Sequence, residues 1–106
     1  MGLRDLLRRT DINQAAELCR EDETAVMLDV RTAEEYKAGH IEGSINVPLQ
    51  NIGSIKQLIE NLSAPIYTYC LSGARSRQAV SALRAMGYTN VSNVGGINGY
   101  RGRLAR

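Results

Sequence analysis

Apolar positions in this chain follow two rhythms, one helical and one strand-like. From Asp11 to Arg20 they fall at Ile12, Ala15, Ala16 and Cys19, the spacing of a single helix face behind a capping Asp11. Ala25 to Val30 is a short apolar run, the pattern of a strand buried on both faces. Thr32 and Glu35 have the capping-box spacing and predict a short helix to about Ala38, with Gly39 as its stop. Ser44 to Val47 reads as a short strand closed by Pro48. Ile52, Ile55, Leu58, Ile59 and Leu62 carry the next helical stripe, which Pro65 breaks. Ile66 to Tyr69 is β-prone and leads directly into Cys70. A helix resumes at Ser76, turns Ala79, Val80, Leu83 and Met86 inward and stops at Gly87, and Asn90 to Val94 supplies a last strand.

Strands and helices therefore alternate, which predicts an α/β fold with a mostly parallel sheet covered by helices on both faces. Ligands of such sheets bind beyond the carboxyl ends of the strands, where Cys70 falls. No internal repeat, low-complexity tract or linker interrupts the pattern, and a chain of 106 residues fits one domain.

Composition narrows the class. Apolar residues are 43% and charged residues 23%, values of a soluble globular chain that folds without help. No run reaches the roughly 20 apolar residues that span a bilayer, so no membrane partner is expected. The start from Met1 to Asp11 alternates Leu with Arg where a signal peptide would be apolar, which makes the cytoplasm the expected location. Met1-Gly2 opens like a myristoylation site, but Leu6 stands where Ser or Thr is needed. The net charge of +2 is small, and the cluster Arg101, Arg103 and Arg106 lacks interleaved aromatic residues, so it reads as a solvated tail and not as a nucleic-acid surface.

Two cysteines are too few for a disulfide scaffold and separate by setting. Cys19 sits on the apolar stripe of the first helix and is read as packing. Cys70 opens the segment Cys70-Leu71-Ser72-Gly73-Ala74-Arg75-Ser76, a strand end followed by a small-residue loop and a helix start. Loop N–H groups can curl round the sulfur and the helix start adds positive potential, both favouring a thiolate and an anion beside it. Arg75 would add a full charge. A buried, inert cysteine in a glycine-containing loop is the plain alternative.

Asp29-Val30-Arg31-Thr32-Ala33-Glu34-Glu35-Tyr36 and Gly39-His40-Ile41-Glu42-Gly43-Ser44-Ile45-Asn46-Val47-Pro48 closely resemble the two amino-terminal signatures of the rhodanese family. Tyr69 to Ser76 resembles its active-site loop, and Gly95-Gly96-Ile97-Asn98-Gly99-Tyr100 its closing motif, which usually ends in Trp. The match spans about residues 11–101 of what is expected to be a single domain over residues 1–106. The resemblance implies the rhodanese α/β fold, with a mostly parallel central sheet of about five strands and helices on both faces. It also implies a sulfurtransferase in which Cys70 takes a sulfane sulfur from a small anionic donor such as thiosulfate and passes it to a thiol or cyanide acceptor. Carried over, Cys70 is the nucleophile, and the amides of Leu71, Ser72, Gly73, Ala74, Arg75 and Ser76 cradle the persulfide and the donor's oxygens, with Arg75 orienting the anion. Asp29 and Arg31 match a strand-end pair that clamps the loop region, and His40 a position that fixes a turn; neither metal nor organic cofactor is implied. Leu71 and Ser72 occupy positions that are basic in some thiosulfate-using members, which marks thiosulfate as a poor donor here.

Three other functions compete. A sulfur carrier within a protein relay would differ only in donor and acceptor. A non-catalytic binding module would have no use for Cys70. Cysteine phosphatases and arsenate reductases of related fold place five residues between Cys and Arg, whereas here four separate Cys70 from Arg75.

Overall fold

The computed structural model describes residues 10–106, so the Met1-Gly2 start and the Leu/Arg alternation lie outside the described residues. Helix α1, Ile12–Glu21, is closed by a capping box in which Asp11 accepts from the Gln14 N–H and Gln14 reaches back to the Asp11 N–H. Strand β1 is Val26–Asp29 and helix α2 is Ala33–Ala38, opened by the expected Thr32–Glu35 capping box. Short strands β2, His40–Ile41, and β3, Ile45–Asn46, follow. Strand β4 is Ile66–Cys70, helix α3 is Ala74–Ala85, strand β5 is Val91–Gly96 and strand β6 is Leu104–Ala105.

β3, β1, β4 and β5 form one parallel sheet in that order. The sheet has four strands and not about five, because β2 pairs antiparallel with β6 in a separate ribbon. Side chains alternate across it. Met27, Tyr69 and Val94 pack with Ile12, Ala15 and Ala16 of α1 on one face. Leu28, Ile66 and Cys70 pack with Ala79, Val80 and Leu83 of α3 on the other. Burying each such Leu or Ile contributes roughly 1.5–3 kcal/mol, so both layers hold the sheet rigidly at the strand ends.

Between β3 and β4 the structure departs from the helix predicted over Ile52 to Leu62. Leu49–Gln57 forms 3-10 turns, interrupted at Asn51 with φ −107° and ψ 16°. Gly53 weakens helix formation there, and a three-residue repeat puts Ile52 and Ile55 on one face. Ile55 and Ile59 are buried, whereas Leu58 and Leu62 are exposed, so the apolar stripe is used only in part. Pro65 ends no helix; its carbonyl accepts from the Val26 N–H and starts the β1–β4 ladder. No helix among the described residues is long and apolar enough to cross a membrane.

Beyond β1 the chain is tied back by buried polar groups. The Arg31 guanidinium grips both oxygens of fully buried Asp29, with Nη2 at 2.7 Å from Oδ2, and the same nitrogen donates to the Gly39 carbonyl at 2.7 Å. The Tyr69 hydroxyl accepts from the Ile41 N–H and meets Ser44 Oγ, each at 3.1 Å, anchoring the β2–β3 turn on the sheet. Removing one member of a buried ion pair leaves the other uncompensated. Arg31→Ala is therefore expected to cost about 3–5 kcal/mol in urea unfolding, with Arg31→Lys recovering only part because it lacks the fork.

Candidate active site

The site forms where β4 ends and the chain must turn into α3. Gly73 makes the turn possible: its φ of +111° lies in the left-handed region that side chains rarely adopt. From Gly73 the chain enters α3 two residues earlier than predicted, at Ala74. The loop consequently closes on its own first residue. The Gly73 N–H donates to Cys70 Sγ at 3.0 Å and the Ser76 N–H at 3.4 Å. Cys70 is itself 1% exposed. Burial opposes its ionisation, yet the N–H of Ser76, the N–H of Gly73, the Ser76 hydroxyl and the Ser72 N–H outweigh burial and lower its pKa from the ordinary value.

Strand β5 braces the loop from behind. Asn93 Nδ2 donates to the Gly73 carbonyl at 3.1 Å, and Asn93 Oδ1 accepts from Ser76 Oγ at 2.5 Å and from the Gly95 N–H at 2.9 Å. The register between β4 and β5 slips between Thr68 and Cys70, which brings Gly96 opposite Cys70. A Cβ on Gly96 would overlap the Leu71 carbonyl and stand 2.6 Å from the Ser72 Cα, so the loop lies directly on the bare glycine backbone.

Two ion pairs stand at this end of the sheet. Besides Asp29–Arg31, the Arg75 guanidinium meets Glu35 in a two-pronged contact, Nη1–Oε1 at 2.7 Å and Nη2–Oε2 at 3.0 Å, with both side chains about a third exposed. This contact, opposed by partial burial and helped by the Thr32 N–H, holds the Glu35 carboxyl at a pKa of about 2. Arg75 thus faces the carboxylate of α2 rather than an open site. His40 Nδ1 lies 2.8 Å from the Tyr36 carbonyl and its ring stacks on Tyr36 at 3.7 Å, while the polar partners of Sγ all come from the loop. Cys19 is half-buried, and burial, then Asp22, raises its thiol to a pKa of about 11 despite Arg20.

The structure places Cys70 at the end of β4, Leu71, Ser72 and Gly73 in the loop, Ala74, Arg75 and Ser76 in the first turn of α3, Asp29 and Arg31 at the neighbouring end of β1, and His40 in β2 against Tyr36. Three residues at the site were not among those expected. Glu35 was legible only as a helix cap, since its partner is 40 positions away. Asn93 had a weak signal, a polar amide inside an otherwise apolar strand. Gly96 was visible within the closing motif, without its contact to the loop.

Two measurements check this geometry. In an ultraviolet thiolate titration, a step below pH 9 should vanish in Cys70→Ser and persist in Cys19→Ser, since Cys19 ionises near 11. Lowering pH should remove the Cys70 thiolate only once it passes that depressed pKa. Gly96→Ala should push the loop off its seat, abolishing the low-pH step while costing about 1–3 kcal/mol of stability.

Comparison with known proteins agrees with the geometry. The family description "Rhodanese-like domain" matches residues 11–103. The thiosulfate sulfurtransferase PspE of Escherichia coli is 38% identical over 71 residues, covering 66% of this chain and 68% of that protein. A rhodanese from E. coli solved with anions superimposes with a TM-score of 0.73 at 32% identity, covering 77% of this chain and 98% of that one. The human single-domain sulfurtransferase TSTD1 gives a TM-score of 0.69 at 26% identity over 83% of this chain and 88% of that one. A strand-end cysteine ringed by amides, set in this fold and matched along nearly all the described residues, places the chain in the rhodanese-like sulfurtransferase family.

Proposed function

We propose that this chain moves a sulfane sulfur from thiosulfate or another persulfide-type donor to a thiophilic acceptor, a thiol or cyanide, through a persulfide on Cys70. The observation that carries the reading is the thiol itself: covered from solvent, yet met by the N–H groups of Gly73 and Ser76 that favour its anion.

The reaction is a double displacement. The Cys70 thiolate attacks the sulfane sulfur, the donor's S–S bond breaks, and with thiosulfate the sulfite leaves carrying the bonding pair. The acceptor then attacks the outer sulfur of the persulfide. The Cys70 Sγ–S bond breaks, its pair returns to Sγ, and cyanide becomes thiocyanate. Loop amides stabilise the sulfur anion that begins and ends each turn. No general base is needed once the thiol is ionised, consistent with a His40 engaged by Tyr36.

A protein relay would use the same two steps with a desulfurase as donor and a sulfur-relay protein as acceptor. Phosphatase chemistry is disfavoured by two observations: four residues, not five, precede Arg75, and its guanidinium is taken up by Glu35.

Intact mass of the wild type after incubation with thiosulfate, and with polysulfide, should rise by one sulfur, about 32 Da, and fall back after cyanide, as expected of a covalent carrier. Cys70→Ser should show no gain and Cys19→Ser the full gain. A gain that survives in Cys70→Ser would defeat the assignment.

A further inference from the structure

We infer that Glu35 is a specificity-determining residue that disables Arg75 as an anion receptor, so that this site prefers persulfide donors, RS–SH, over the thiosulfate dianion. The inference rests on the persulfide reading above and concerns the charge that surrounds the site.

Segments 29–35 and 70–76, which build the site, hold three carboxylates, Asp29, Glu34 and Glu35, against two guanidiniums, Arg31 and Arg75. Both guanidiniums are spoken for: Arg31 by Asp29 and the Gly39 carbonyl, Arg75 by Glu35. Arg75 is the only charged residue between Cys70 and Ser76, and the exposed residues of that segment, Leu71, Ser72 and Ala74, are uncharged. Two of the loop's N–H groups are also committed, because those of Gly73 and Ser76 aim at Sγ itself. A dianionic sulfonate brought to this mouth finds Arg75 already paired, so it must either break the two-pronged Glu35–Arg75 contact or approach the Glu35 carboxylate; the other cation in reach, Arg101, lines the groove of Leu71 and Ser72 together with the carboxylate of Asp11. A persulfide reacts in its protonated, uncharged form and avoids that penalty. Its transfer balances without a further reactant: Cys70 thiolate attacks the outer sulfur, the RS–S bond breaks, RS⁻ leaves with the pair, and the proton stays on the new persulfide.

Glu35 acts through Arg75 and is thus a positioning residue; Gln at this position keeps an oxygen that can accept from the Thr32 N–H, so the α2 cap is retained. The experiment compares loading of Cys70 by thiosulfate, by methanethiosulfonate, which carries one charge fewer, and by the persulfide of 2-mercaptoethanol, which carries no other charged group, followed by intact mass at low and high salt. In the wild type, kcat/KM should rank persulfide above methanethiosulfonate above thiosulfate, with about tenfold or more between the extremes and little effect of salt. Glu35→Gln should raise thiosulfate against persulfide by about tenfold, through a lower KM, and make the thiosulfate rate fall with salt. Leu71→Arg, which places an unpaired cation on an exposed position, should shift the ratio the same way and serves if Glu35→Gln folds poorly. Equal use of all three donors by the wild type, or variants that leave the ratio unmoved, would overturn the inference while leaving the persulfide reading in place. Loading by none of the donors would overturn that reading itself.

Discussion

Backbone N–H groups that converge on the Cys70 sulfur are the interaction on which the rest of this site depends. A peptide N–H ordinarily goes into a helix or sheet ladder; here those of Gly73 and Ser76 are withheld from both and aimed at one side chain. Such an arrangement requires a left-handed residue at Gly73, a helix that begins at once at Ala74, and a neighbouring strand bare enough to let the loop lie down. Asn93 then closes the set by holding the Gly73 carbonyl and the Ser76 hydroxyl from β5. The eased ionisation of the thiol is thus largely a property of main-chain direction, and side chains such as Asn93 serve to fix that direction.

Two ion pairs tie the strand ends to their neighbours. Asp29 and Arg31 join β1 to the turn before β2, and Glu35 and Arg75 join α2 to α3 across the loop. The first pair is buried and mechanical. The second is partly exposed and contributes modestly to stability, so its greater effect is on the electric field at the mouth of the site.

Much of this was legible in the chain. The strand from Ile66 into Cys70 and the inward residues Ala79, Val80 and Leu83 of the following helix were readable because burial repeats at the element's own period. The capping box at Thr32 and Glu35 was readable because it is local in sequence. The segment from Leu49 to Gln57 was misread because its apolar residues satisfy a helical template while Gly53 and the break at Asn51 favour tighter turns. The separate β2–β6 ribbon carries no periodic signal, since each strand has two residues. At the site, the loop's composition pointed to its chemistry, but the partners Glu35 and Asn93 are set by tertiary packing, which no local pattern encodes.

Because adjacent residues of a strand face opposite layers, the sulfur at Cys70 and the phenol at Tyr69 look into different halves of the molecule. Cys70, with 1% of its surface open, therefore stands next in the chain to the fully buried ring of Tyr69 while facing the other layer. The thiol can thus change its charge or its bonding without disturbing the hydroxyl contacts that anchor Tyr69 to Ile41 and Ser44, because the two side chains lie on opposite faces of β4.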